Sequence, residues 1–97
     1  MTSVRISRLA EADLDEIWTY LSTVSTEAAD ELILRIYQQA RLIATQPRMG
    51  REKFDLYPEL RSFPVAPYML FYRPRDGGGI EVVRIIHGRR DITPALF

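Results

Sequence analysis

The feature that most constrains this chain is a change of hydrophobic period near its middle. As far as Pro47 the apolar residues recur at three- and four-residue spacing, and from Glu59 onward they tend to alternate. The first half is therefore expected to be helical and the second extended. With 97 residues there is room for one domain, spanning 1–97, and not for two. The expected class is α+β: an N-terminal strand, an antiparallel helical hairpin, then a three-stranded antiparallel sheet.

Val4-Arg5-Ile6-Ser7 alternates as a short half-buried strand does. Ser7 is placed to cap a helix over about residues 8–23, with Glu11, Asp13 and Asp15 near its positive end and Leu14, Ile17, Trp18 and Leu21 on one apolar face. Ser25 or Thr26 caps a second helix, whose Ala29, Leu32, Ile33, Ile36, Ala40, Ile43 and Ala44 keep helical spacing until Pro47 ends it. The short connection makes the two helices an αα-hairpin.

Pro47–Gly50 reads as a turn and Arg51–Pro58 as a loop. Leu60–Val65 is a strand candidate in which Pro64 points to a sheet edge or a bulge. Tyr68–Arg73 and Ile80–Ile86 follow, joined by a glycine-rich connection at residues 74–79. Strict alternation puts Val83 and Ile85 on one face of the last strand and Val82, Arg84 and Ile86 on the other. Apolar residues on both faces mark that strand as central. The first strand is expected to join the later ones, with the helix pair on one face of the sheet.

The chain has no cysteine and one histidine, which excludes disulfides and a cysteine-ligated zinc site. No metal and no cofactor are expected. The stretch Met1-Thr2-Ser3-Val4-Arg5 has no apolar run of the signal-peptide kind, and no segment reaches the length of a membrane span. A cytoplasmic protein without membrane contact is the expectation. Thirteen basic and thirteen acidic residues cancel. Residues 1–50 hold Arg5, Arg8, Arg35, Arg41 and Arg48 against Glu11, Asp13, Asp15, Glu16, Glu27, Asp30 and Glu31. The second half carries the compensating positive balance, too mild to require nucleic acid as a partner.

Few groups are arranged for catalysis. A Ser/His/Asp triad lacks the strained nucleophile turn it needs. Asp13, Asp15 and Glu16 read as a solvated, dipole-stabilising helix face. Gly77-Gly78-Gly79 lacks the Lys-Ser/Thr of a phosphate loop. The informative group lies on the last strands and their exit: Arg61, Tyr68, Tyr72, Arg84, His87, Arg89 and Arg90. Each also has a structural reading, as sheet packing, a strand-end hydrogen bond or a solvated charge.

Taken in order, these segments resemble the ParE/RelE toxin superfamily of bacterial type II toxin–antitoxin systems, and its ParE branch best. The resemblance is carried by Ala10, Leu14, Ile17 and Tyr20 in the first helix, Pro47 and Gly50 after the second, Glu59-Leu60-Arg61, Tyr68-Met69-Leu70-Phe71-Tyr72, and Val83-Arg84-Ile85-Ile86-His87-Gly88-Arg89-Arg90-Asp91. It covers nearly the whole chain.

The resemblance implies one of two activities. RelE-type members cleave ribosome-bound mRNA, and ParE-type members poison DNA gyrase by binding. Cleavage needs a base, an acid and positive charge on the phosphate. The positions that carry lysines in the nuclease branch align with Tyr57 and Glu59, its arginine within the strand with Met69, and its C-terminal tyrosine with Leu96. Only Arg90 matches a catalytic arginine. If the chain were a nuclease, Arg90, His87 and Arg61 would be its candidates. The preferred reading assigns no catalytic residue: a ParE-like toxin that binds gyrase through Arg61, Arg84, Arg89 and Arg90, without direct sequence-specific binding to nucleic acid. The resemblance also implies a ParD-like antitoxin forming a hetero-oligomer with the chain, with Leu14, Trp18, Phe63, Val65 and Phe71 as candidate contacts. Two alternatives remain, a RelE-like mRNA endonuclease and a non-toxic interaction module of the same fold.

Overall fold

The computed structural model describes residues 3–97. Met1 and Thr2, which open the stretch considered above for a leader, lie outside the described residues. The elements are β1 (Val4–Ile6), α1 (Arg8–Ser22), α2 (Thr26–Thr45), β2 (Arg51–Glu52), β3 (Arg61–Val65), β4 (Tyr68–Pro74), β5 (Ile80–His87) and a 3-10 turn at Pro94–Leu96. They form one five-stranded sheet in the order β1-β5-β4-β3-β2, with β1 parallel to β5 and the other pairs antiparallel. The hairpin α1–α2 covers one face.

Both helix starts follow from side-chain caps. Ser7 Oγ accepts the Ala10 amide at 3.0 Å, and Ser25 Oγ accepts the Ala28 amide at 3.1 Å. Ser7 also donates to the Val83 carbonyl at 2.7 Å, so the cap of α1 is fastened to β5.

Ala10, Leu14 and Ile17 of α1 and Leu32, Ile36, Ala40, Ile43 and Ala44 of α2 meet Val65, Leu70, Tyr72, Ile80, Val82 and Ile85 of the sheet in the main core. Burial of this apolar surface is the dominant stabilising term. The opposite face of the sheet is covered too. Leu60, Phe71 and Ile86 are buried there beneath Leu56, Met69, Val83, Ile92, Leu96 and Phe97. Phe97 meets Phe71 edge-on, with ring centroids 5.0 Å apart.

The sheet has one strand more than the sequence pattern foretells. Arg51–Glu52 falls in the stretch read as a loop but pairs with Arg61 and Ser62. Two exposed charged residues give no alternation to detect. Because β2 pairs only with this end of β3, Pro64 faces no further strand on that side, and its missing amide costs the ladder nothing there.

The facing of β5 also departs from strict alternation. Tyr72 lies opposite Val82 and Phe71 opposite Arg84, so Val83 is an extra residue, a β-bulge. It shifts every later residue by one. Val82 and Ile85 consequently share the helix-facing core, while Val83 and Ile86 belong to the opposite cluster. The position of β5 between β1 and β4 agrees with its apolar character on both faces.

Candidate interaction surfaces

The four arginines singled out by the sequence do not form one patch. Arg84 is a structural residue. Its Nε donates to Asp13 Oδ2 and its Nη2 to Asp13 Oδ1, each at 2.8 Å, while Nη1 donates to the Leu96 carbonyl at 2.7 Å. The Arg84 and Asp13 side chains are only 12% and 7% exposed. The hydrogen bond to Asp13 raises the Arg84 pKa above its usual value, against the opposing effect of burial. Asp13 is therefore not a solvated helix-face charge, and Arg84 is not a free anchor.

Strand β5 continues past Val82, its last residue paired with β1. Beyond that point side chains take the place of the ladder. Ser7 Oγ bonds the Val83 carbonyl, and Asp13 Oδ2 accepts the Ile85 amide at 2.9 Å. A buried amide without a partner would be costly, and the carboxylate supplies one.

Arg61 is also engaged. Its Nη1 donates to the carbonyls of Arg48 and Gly50 at 3.1 and 3.0 Å, and its guanidinium stands 5.7 Å from the Phe54 ring centroid. The same turn is held by Tyr72, whose hydroxyl donates to the Pro47 carbonyl and accepts the Gly50 amide, both at 2.8 Å. A Cβ at Gly50 would stand 2.5 Å from that hydroxyl and 2.8 Å from the Ser62 carbonyl. The Pro47-x-x-Gly50 pattern thus encodes a turn pressed against β3 and β4. Burial raises the Tyr72 pKa, opposed by the Gly50 hydrogen bond and the Arg61 charge.

Arg89 and Arg90 are exposed and form no ion pair with another described residue. His87, just before them, has its ring edge-on to Tyr68 at 5.2 Å, and its Nδ1 accepts the Arg89 amide at 3.1 Å. His87 lies opposite Tyr68 on β4, whereas Arg61 lies opposite Tyr72. Four residues of strand separate those rows, about 13 Å at 3.3 Å per residue. The candidate nuclease residues His87 and Arg61 thus stand apart, with Arg61 already engaged. No group of His, Cys, Asp and Glu able to hold a metal occurs among the described residues.

Of the candidate antitoxin contacts, Leu14, Val65 and Phe71 are buried in the two cores, and Phe63 is half-buried against the main one. Folding consumes the apolar surface of the first three, so they are not available to a partner. Trp18 is 39% exposed, with its indole N–H donating to Asp30 Oδ1 at 2.8 Å across the hairpin. The large apolar residues left open on the helices and the turn between them are Leu9, Trp18, Tyr20, Val24, Leu34, Tyr37 and Leu42. Leu34 and Leu42 escape the sequence reading because they sit off the inward stripe of α2. An apolar residue on the wrong side of an amphipathic helix is the signal that finds them.

Next to the hairpin a cleft of about 540 Å³ opens between Tyr20, Leu32, Arg35, Pro67, Tyr68 and His87. Burial, and secondarily the nearby Tyr20, raise the Tyr68 pKa. Arg35 closes one side by donating to the Ala66 carbonyl at 2.6 Å. No helix among the described residues is long and apolar enough to cross a membrane.

Comparison with known proteins places this architecture. Residues 4–92 match the family described as ParE toxin of type II toxin-antitoxin system, parDE. Toxin ParE1 of Mycobacterium tuberculosis is 33% identical over 93 residues, covering 94% of each chain. Toxin ParE1 of Caulobacter vibrioides is 33% identical over 88 residues, with 90% of each chain covered. A chain in the solved structure of the chromosomal ParDE TA system from P. aeruginosa superposes with a TM-score of 0.70 at 26% identity, covering 90% of this chain and 96% of that one. With its helical hairpin on a five-stranded sheet and a sequence match from β1 to Ile92, the chain belongs to the ParE toxin family of type II toxin–antitoxin systems.

Proposed function

We propose that this ParE-family toxin acts by binding DNA gyrase, not by cutting RNA, and that a ParD-like antitoxin neutralises it. One observation carries the reading of the target. Arg61 and Arg84 are spent on the fold, while Arg89 and Arg90 project free at the end of the central strand. A short turn with two unengaged guanidinium groups is suited to recognising carboxylates or phosphates on a partner. The gap between His87 and Arg61 favours binding over phosphodiester cleavage, which requires its base, acid and cations around one phosphate.

The antitoxin reading draws on the hairpin. Trp18, Tyr20, Val24, Leu34 and Leu42 expose apolar area in the company of Glu27, Asp30 and Glu31. A partner segment pairing apolar anchors with basic residues fits that surface. The solved neighbour comes from a ParDE system, which supports the same kind of pairing here.

The test is a supercoiling assay with purified gyrase, run with the toxin alone and with its antitoxin. Loss of supercoiling with accumulation of cleaved DNA complex, reversed by antitoxin, is the expected result. Unimpaired supercoiling beside codon-positioned cleavage of mRNA on programmed ribosomes would overturn it.

A further inference from the structure

The basic turn after β5 opens with three successive amides, and each has a partner. The Gly88 amide donates to the Pro67 carbonyl at 2.9 Å, and the Arg90 amide to the His87 carbonyl at 3.0 Å. The middle amide, that of Arg89, donates to a side chain instead, the His87 Nδ1 at 3.1 Å. Nδ1 is bonded to Cγ, as Oδ1 is in asparagine. The contact is therefore the one an asparagine makes with the amide two residues further on. The imidazole stands edge-on to Tyr68, with ring centroids 5.2 Å apart.

The middle bond differs from its two neighbours in one respect. A backbone carbonyl always accepts, whereas an imidazole accepts only through a nitrogen that carries no proton. With Nδ1 accepting, the neutral ring holds its hydrogen on Nε2. The imidazolium holds one on each nitrogen and leaves the Arg89 amide without a partner on the ring. Histidine is the residue type whose charge ordinarily changes between about pH 5 and 8. His87 is the chain's only histidine and is exposed to solvent. Facing it are Tyr68 from β4, Tyr20 from α1, and Glu31 and Arg35 from α2, which line the same cleft. Arg89, Arg90 and Asp91 follow it on the turn.

We propose that His87 is a positioning residue: its neutral imidazole latches the turn that presents Arg89 and Arg90 to a partner, and protonation of Nδ1 releases the latch. The role rests on the reading of that turn as the contact with the target. Arg89 and Arg90 form no ion pair with another described residue, so the backbone that carries them sets their direction. A turn that is already fixed loses less freedom on binding. Once released, it has to be ordered by the partner, and affinity falls. The toxin is thereby weaker in mild acid than at neutral pH, with its helices and sheet unchanged.

The test compares the isotopically labelled full chain with His87→Asn and His87→Ala by NMR. At about pH 8 the native ring should carry its hydrogen on Nε2. Relative to its intrinsic exchange rate, the Arg89 amide should be about threefold or more better protected than in His87→Ala. His87→Asn should restore that protection and keep it to about pH 5.5, whereas the native amide should lose it as the ring resonances titrate. In the supercoiling assay His87→Ala should raise the concentration needed for half inhibition about three- to tenfold, and His87→Asn should bring it back. The affinity of the native chain for gyrase, taken relative to that of His87→Asn, should fall between about pH 8 and 6. A ring with its hydrogen on Nδ1, an asparagine variant no better protected than the alanine one, or a His87→Ala variant as potent as an active native chain would each overturn the proposal. A native chain inert toward gyrase would overturn the choice of target alone, and the ring and amide resonances would still decide the latch.

Discussion

Arg84 and Asp13, 71 positions apart in the sequence, meet through two parallel hydrogen bonds of 2.8 Å, and the remaining Arg84 nitrogen holds the Leu96 carbonyl. One side chain thereby joins α1, β5 and the C-terminal segment. Removing one member leaves the other charge buried without its partner. Asp13→Ala is expected to cost about 3–5 kcal/mol in urea unfolding, and Arg84→Met a comparable amount. The double variant Asp13→Leu, Arg84→Met should recover much of the loss, since a buried pair replaced by apolar groups is often near neutral. Additive losses in the double-mutant cycle would refute the coupling.

Gly50→Ala should destabilise the fold by about 1–3 kcal/mol, because the added methyl group collides with the Tyr72 hydroxyl and the Ser62 carbonyl. Tyr72→Phe removes the hydroxyl part of that collision, leaving the ring carbon and the Ser62 carbonyl in place, and strands the Gly50 amide and the Pro47 carbonyl, at a cost of about 1–3 kcal/mol. In the Tyr72→Phe background Gly50→Ala should therefore cost less than in the native chain. Thermal melts of the four proteins provide the check.

Alkaline pH should weaken the fold through Tyr68 and Tyr72. Burial raises both pKa values above the ordinary 10.0. The folded state therefore keeps these protons at a pH where the unfolded chain has begun to lose them. Their contribution is whole below pH 10 and declines as pH rises from there through the folded values. Stability against urea should be flat from these groups up to about pH 10 and fall beyond it. Tyr68→Phe should make the decline shallower.

Arg89→Ala with Arg90→Ala should leave stability within about 0.5 kcal/mol of native, as exposed substitutions do. On the proposed function the same variant should lose most of its effect on gyrase supercoiling. A folded double variant with full potency would exclude this turn as the contact.

Trp18 is the chain's one tryptophan, so its fluorescence reports on the hairpin without labelling. Antitoxin binding should shift its emission to the blue as water leaves the indole. Trp18→Ala should weaken the complex by about 30-fold or more if the ring is a central anchor. An unchanged spectrum at saturating antitoxin would place the complex elsewhere on the surface.

The contrast between Asp13 and Ser7 shows what the sequence disclosed. Ser7 is a cap by local chemistry, and its assignment needs only the residues beside it. Asp13 looks like another acid of the first turns until its spacing is counted: three residues after Ala10 and four before Ile17, it sits on the apolar stripe itself. Its partner is fixed by tertiary structure, which local pattern does not encode. Val83 illustrates a different gap. A bulge leaves the composition of a strand intact while exchanging the faces of everything after it, so Val82, Val83 and Ile85 were legible as strand residues but not as neighbours. Among the site candidates, exposure decided the outcome. Leu14, Val65 and Phe71 are apolar for the core, and Leu34 and Leu42 are the apolar residues that folding leaves over.

The parallel pairing of β1 with β5 also sets a timetable. Val4 finds its place only beside Ile80, and α1 is locked only when Arg84 reaches Asp13. During synthesis the first strand and helix must therefore wait, unpaired, until nearly the whole chain has left the ribosome. The protein matures all at once and late. Through that interval the nascent chain has no finished sheet, and the edge of β1 is still open on both sides.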